Sequence, residues 1–407
     1  TLNSVALTYR MAKETENENL MTVKSPFTGK MINRFLHICQ SPEDLIKRCE
    51  LSKFLTPFHG ACVGARCVGT AALNTLYALT YDIDRKKGTD YHHRFLKFLS
   101  YVQDEDLTCS GMVTDAKGDR SLGPGQQADP DVYLRVIEER EDGIVVRGAK
   151  AHQSGAALAH CNLVVPTTSM KENEKEFAVA FAVPSNAPGM IHIAETPAPN
   201  ARRLLENDEM DFGNFEYGVH GSTLVVFNDV FIPRERVFMC GEYEFAGAMA
   251  ATFGTFQRLA TAGCKSGHCD LTYGAAAVAA EYNGCDKLSH IRDKIVEMSF
   301  QSALAFGTAI AAGYKAKATA SGVYLPDDLL VNAAKLQAVD AVWVASKLAC
   351  EIAGGVICTV PSQKDFDNPE IAQYVDKYFK GRADISTENR VRIMRLVEYL
   401  VGQGSIV

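Results

Sequence analysis

The chain has 407 residues, 47% of them apolar, a formal net charge of -7 and an isoelectric point near 5.8. That length suits two or three domains with substantial cores, and an acidic balance without a basic block argues against nucleic acid or an anionic membrane surface as partner. No run of about 18 uninterrupted apolar residues is present and the first residues carry no leader pattern, so the expectation is a cytoplasmic protein with no membrane partner.

In chain order, residues 1 to 108 read as helical. Ser41-Pro42-Glu43-Asp44 supplies a cap, a first-turn proline and acidic residues ahead of LIKRCELSKFL, and the pattern continues through TAALNTLYALTYDID. From Thr108 period-two and β-branched runs take over in DVYLRVIEE, GIVVRGAK, NLVVPT, EFAVAFAVP and STLVVFNDVFIP. Beyond Pro233 long helical patterns return. The expected architecture is α+β: an N-terminal helical domain (1–108), a middle β domain (109–235) and a C-terminal helical bundle (236–407).

Common catalytic signatures are missing: there is no P-loop, HExxH, GxSxG or paired CxxC. GPGQQA at 123–128 imitates a dinucleotide fingerprint, but Asp-Pro-Asp and a strand follow it where a helix is required, so it reads as a loop. The twelve cysteines are scattered, as in a reducing compartment, and most read as small buried hydrophobes. Cys62 and Cys67 sit five apart in HGACVGARCVGTAALN, about 140° apart on an ideal helix, unless a π-bulge eased by Gly64 brings them together. Gln257 and Cys264, seven apart, share a helix face to within about 20°, and His268 follows Cys264 by one turn. Three thiols and a neighbouring polar group could enclose an iron-sulfur cluster, although spacing alone favours ordinary packing.

LMTVKSPFTGKMINRF, RCVGTAALN, TYDIDRKKGTDYH, MVTDAKGDRSLGP, REDGIVVRGAKAHQSGA, VVFNDVFIPRERVF, AGCKSG and EIAGGV occur in this order along the chain. Together they resemble the 4-hydroxybutyryl-CoA dehydratase (vinylacetyl-CoA Δ-isomerase) family, flavoproteins related to acyl-CoA dehydrogenases and 4-hydroxyphenylacetate 3-hydroxylases. The resemblance implies a homotetramer with FAD, a 4Fe-4S cluster and an acyl-CoA substrate. In that chemistry a base removes the 2-proton, the flavin takes one electron, and iron holds the departing hydroxyl.

Carried over by motif, the cluster thiols fall on Cys62, Cys67 and Cys264, and Lys265 matches a polar residue of the catalytic set. The sequence departs from the family pattern at four places. There is one extra residue between Cys62 and Cys67, Gln257 stands where a histidine ligand is expected, Thr261 replaces a tyrosine and Ser222 a glutamate. Glutamine cannot titrate, so a cluster would need another ligand, with His268 or Cys269 as candidates; otherwise flavin chemistry alone remains. The resemblance puts the flavin ring near Thr114, Gln153 and Ser154, and a partner subunit's cofactor near Gly354 and Gly355, where a plain helix cap is the competing reading. Arg120 is a candidate for an acyl-CoA phosphate or a substrate carboxylate. Two further readings remain: a reduced-flavin-dependent phenol monooxygenase, and an inert flavin-binding paralogue.

Overall fold

The computed structural model describes residues 2–14, 17–60, 66–194, 208–213 and 221–402. Five helices lie in its first 104 residues: α1 (Leu2–Ala12), α2 (Glu18–Met21), α3 (Pro42–His59), α4 (Arg66–Lys87) and α5 (Tyr91–Asp104). α3 begins where its cap dictates, the Ser41 hydroxyl accepting from the Asp44 N–H at 3.1 Å and Pro42 occupying the first turn, where no N–H is needed. It stops at Gly60, whose φ of 62° closes the helix in a left-handed turn. α4 is described from Arg66, so Cys67 lies in its first turn. Cys62, and with it the bulge expected between the two thiols, lies outside the described residues.

This stretch is not wholly helical. A hairpin of β1 (Thr22–Lys24) and β2 (Met31–Asn33) turns at Ser25, whose hydroxyl accepts from the N–H groups of Phe27 and Thr28.

Eight strands follow: β3 (Cys109–Met112), β4 (Arg135–Glu139), β5 (Gly143–Ser154), β6 (Cys161–Val164), β7 (Val179–Pro184), β8 (Met190–Ala194), β9 (Ser222–Pro233) and β10 (Val237–Cys240). They form two four-stranded sheets, ordered β10-β7-β6-β3 and β4-β5-β9-β8. β6 and β7 are covered on both faces, which explains the apolar run of β7 and the satisfied side chain of Asn162 in β6, whose amide donates to the Ala156 carbonyl and to Ser185 Oγ. β3 and β6 run parallel, so the chain leaves both strands at the same end. β5 slips register against β9 between Lys150 and Gln153, and within that slip His152 takes a φ of 58°. The bulge re-aims the end of the strand.

The C-terminal region is a bundle of α6 (Tyr243–Tyr282), α7 (Ser289–Tyr314), α8 (Asp328–Ala353), α9 (Gln363–Asp367), α10 (Ala372–Tyr378) and α11 (Thr387–Val401), with a minor hairpin of β11 (Lys317–Ala318) and β12 (Tyr324–Leu325). Alanines at positions such as 276, 279, 338, 341, 345 and 349 let the helices approach closely. α3 also leans on α6 through bare backbone: a Cβ on Gly263 would sit 2.4 Å from the Cys49 carbonyl oxygen, and one on Gly267 2.5 Å from that of Lys53.

Two helical stretches, Ser289–Tyr314 and Asp328–Cys358, are long and apolar enough by length and composition to cross a membrane. The search for an uninterrupted apolar run did not register them, because small and polar residues punctuate both. Each packs into the bundle along one side and leaves an apolar side open: Val296, Phe300 and Leu304 at four-residue spacing on α7, and Leu329, Leu336 and Trp343 at seven-residue spacing on α8.

Candidate active site

Along the last residues of β5, which run antiparallel beside the chain from Asp115 back to Ser110, the residues expected around a flavin converge. The Thr114 carbonyl accepts from the backbone N–H of Ala151 at 2.8 Å and from Gln153 Nε2 at 3.1 Å. Gln153 is buried, and its amide also donates to the Ala151 carbonyl. Ser154 shares a 3.0 Å hydrogen bond with the hydroxyl of Ser222, and its own carbonyl accepts from Ser110 Oγ at 3.1 Å. Thus Thr114, Gln153, Ser154 and Ser222 form one edge of carbonyl, amide and hydroxyl groups, a mixed acceptor and hydroxyl set suited to the rim of an isoalloxazine ring. A glutamate expected at position 222 is here a neutral hydroxyl, so this edge carries no base.

Beneath that edge lies a buried ion pair that no motif announced. Lys150 is 2% exposed and Asp115 3%, with Nζ 2.9 Å from the carboxylate. The ammonium also donates to the carbonyls of Val113 at 2.8 Å and Val165 at 3.1 Å, and Asp115 accepts from the Leu134 N–H at 3.2 Å. Burial pushes the lysine below and the carboxyl above its ordinary range, and the pairing works against both shifts. The available signal was a lysine and an aspartate inside apolar strand patterns, which marks a charge that must find a partner.

The cysteine side of the site is arranged differently from expectation. Gln257, on α6, does reach Cys67: its Nε2 is 3.8 Å from the sulfur, while its Oε1 is buried with no hydrogen-bond partner among the described residues. The buried Arg48 guanidinium donates to the Cys67 carbonyl at 2.9 Å. Cys264 lies about 10 Å farther along α6 at 1.5 Å per residue; its thiol donates to the Thr261 carbonyl at 3.4 Å, and the Cys49 thiol lies within its electrostatic reach. Thr261 bonds back to the Gln257 carbonyl at 2.8 Å, without the reach of a tyrosine.

His268, a candidate replacement ligand, is turned away from this group and meets the backbone of Leu400 in α11, where burial first and the Lys265 charge second push its pKa down to about 4. Cys269 is fully buried in the bundle core, its thiol pushed up to about 12 by burial. His268 stays within about 40° of Cys264 but lies about 6 Å farther along α6, where α11 is its neighbour, and Cys269 is turned about 140° into the bundle interior. Among the described residues no three His, Cys, Asp or Glu side chains converge to hold a metal. Among the described residues the expected ligand set falls short of a 4Fe-4S cluster: an amide stands beside Cys67 and His268 faces α11, while Cys62 lies outside the described residues.

Arg120 lines a polar cleft of about 440 Å³ with Lys117, Thr167, Ser169, Lys171 and Glu174, beside the loop that carries Thr114. Gly354 ends α8 at φ 70°, and nothing lies within 4 Å of a Cβ placed on it or on Gly355. It is a helix cap, and the backbone beyond it is open to close approach.

Residues 1–239 match the model for the N-terminal domain of 4-hydroxyphenylacetate 3-hydroxylase, and residues 246–405 that for its C-terminal domain. Over the whole chain, and 84% of the relative, the sequence is 42% identical to 4-hydroxybutyryl-CoA dehydratase/vinylacetyl-CoA-Δ-isomerase of Clostridium aminobutyricum. The chain belongs to the 4-hydroxybutyryl-CoA dehydratase family. An oxygen-tolerant archaeal 4-hydroxybutyryl-CoA dehydratase from N. maritimus superposes with a TM-score of 0.94 at 42% identity, over 97% of this chain and 78% of that one. The oxygenase component of 4-hydroxyphenylacetate 3-monooxygenase complexed with FAD shares the fold, with a TM-score of 0.84 at 24% identity over 99% of this chain and 82% of that one.

Proposed function

We propose that the protein is an FAD-dependent dehydratase/isomerase of a short acyl-CoA thioester, working as a cytoplasmic homotetramer divided at about residues 108 and 235. The observation that supports this most is the edge of Thr114, Gln153, Ser154 and Ser222, in a chain alike over its whole length to a dehydratase and isomerase of such thioesters. When bound there, FAD supplies reversible electron uptake. The chain's own groups would meet the ring edge through the Gln153 amide oxygen and the Ser154 hydroxyl, with Gln153 oriented by the Thr114 and Ala151 carbonyls that take both its amide hydrogens, and would offer Lys117, Arg120 and Lys171 to the thioester's phosphates. Lys265, half-buried on α6, supplies positive charge on the cysteine side. Gly354 and Gly355 present open backbone to a neighbouring subunit's cofactor.

The test is direct: purified protein supplied with FAD should convert vinylacetyl-CoA or 4-hydroxybutyryl-CoA to crotonyl-CoA. The match to the hydroxylase domain models favours one competing reading, a monooxygenase, which would instead consume oxygen with a phenol and a reductase. Flavin binding with neither activity would mark an inert paralogue.

A further inference from the structure

We infer that Lys150 and Asp115 are positioning residues for the flavin edge, an inference that rests on the flavin reading above. Lys150 belongs to β5, in one sheet, yet its ammonium holds the carbonyls of Val113 and Val165, the residues that directly follow β3 and β6 of the other sheet. One side chain from the interior of β5 therefore gathers two strand ends of the other sheet. Asp115 completes the clamp: its carboxylate takes the ammonium at 2.9 Å and the Leu134 N–H at 3.2 Å, tying in the approach to β4.

Thr114 lies between the two clamped residues, Val113 and Asp115. Its carbonyl in turn receives Ala151, next to Lys150, and Gln153. The candidate flavin contacts are thus fixed by the pair from behind, with no contact of the pair to the ring itself. Main-chain hydrogen bonding of β3 to β6 ends at Met112 and Val164, so the carbonyls of Val113 and Val165 depend on the lysine for partners in a water-poor place. A clamp needed for stability alone could be apolar, since well-packed hydrophobic residues replace a buried ion pair without loss. An ammonium with its three acceptors imposes direction, and direction is what a ring edge needs.

The experiment uses the full-length protein and the paired variant D115N/K150M, which removes both charges and strands neither, with D115N alone beside it. FAD affinity is measured by quenching of flavin fluorescence, the bound flavin's visible spectrum is recorded, and the apoprotein's melting temperature is taken. The paired variant should stay folded, its melting temperature lowered by the loss of the Val113 and Val165 carbonyl partners, while its Kd for FAD rises about tenfold, the worth of one or two lost orienting hydrogen bonds, with a shifted flavin spectrum. D115N, which keeps the lysine on both carbonyls, should lie between. Unchanged affinity and spectrum in the paired variant would overturn the inference, as would its failure to fold, which would assign the pair to stability. Wild-type protein that binds no FAD removes the flavin reading itself, a result separable from both.

Discussion

At the scale of single residues, Gln257 decides most about the cysteine side. Its amide touches Cys67 where the family pattern has an imidazole, and an amide neither titrates nor ligates iron well. Gln257→His places that imidazole next to Cys67, and the iron content of anaerobically prepared protein should rise above that of wild type; unchanged iron would put position 257 off the path of any metal. The substitution was readable in the sequence, from motif and helical spacing together. The orientation of His268 was not, because one turn along a helix keeps a residue near a face without saying which neighbour that face meets.

His268 also sets a pH dependence. Its folded pKa of about 4 lies below its ordinary 6.5, so on acidification the unfolded chain takes up the proton first. Stability from this site is fully present above about pH 6.5 and falls toward pH 4 by about 3 kcal/mol. Urea midpoints at pH 7 and pH 5 should differ accordingly, and His268→Leu should flatten the difference.

Among elements, the crossing of α3 and α6 shows what the motif AGCKSG is for. Gly263 and Gly267, four apart, let the Cys49 and Lys53 carbonyls lie against the helix, closer than any side chain permits. Gly263→Ala should cost about 1–3 kcal/mol, as overpacking does, read as a lower denaturant midpoint with little change in slope. Helix starts such as Ser41-Pro42 and the long apolar strands were legible because a cap and a period are local facts. The β1–β2 hairpin was not read, although its Ser-Pro-Phe-Thr-Gly turn was present, since each arm is only three residues and helical patterns surround it. The clamp of Lys150 across two sheets depends on which strand ends become neighbours, which no local pattern states.

For the molecule as a whole, the open apolar sides of α7 and α8 ask for a cover. With Leu336 and Trp343 one heptad apart and exposed, a neighbouring copy offering the same stripe is the natural occupant of an acidic protein's apolar face. Leu336→Glu with Trp343→Glu should shift the species seen by light scattering from the proposed tetramer toward smaller forms. An unchanged mass would assign the assembly to another face. The three-part order of helices, sheets and bundle followed from changes in residue periodicity, but the assembly face did not, because a buried and an intersubunit stripe look alike in sequence.

The bare backbone where α8 ends at Gly354 gives this assembly a further meaning. In the proposed assembly, a subunit that lends this helix end to the cofactor next door makes nucleotide retention a property of the crowd, not of the individual. Dilution alone would then bleach the yellow colour from the solution while every helix stayed wound.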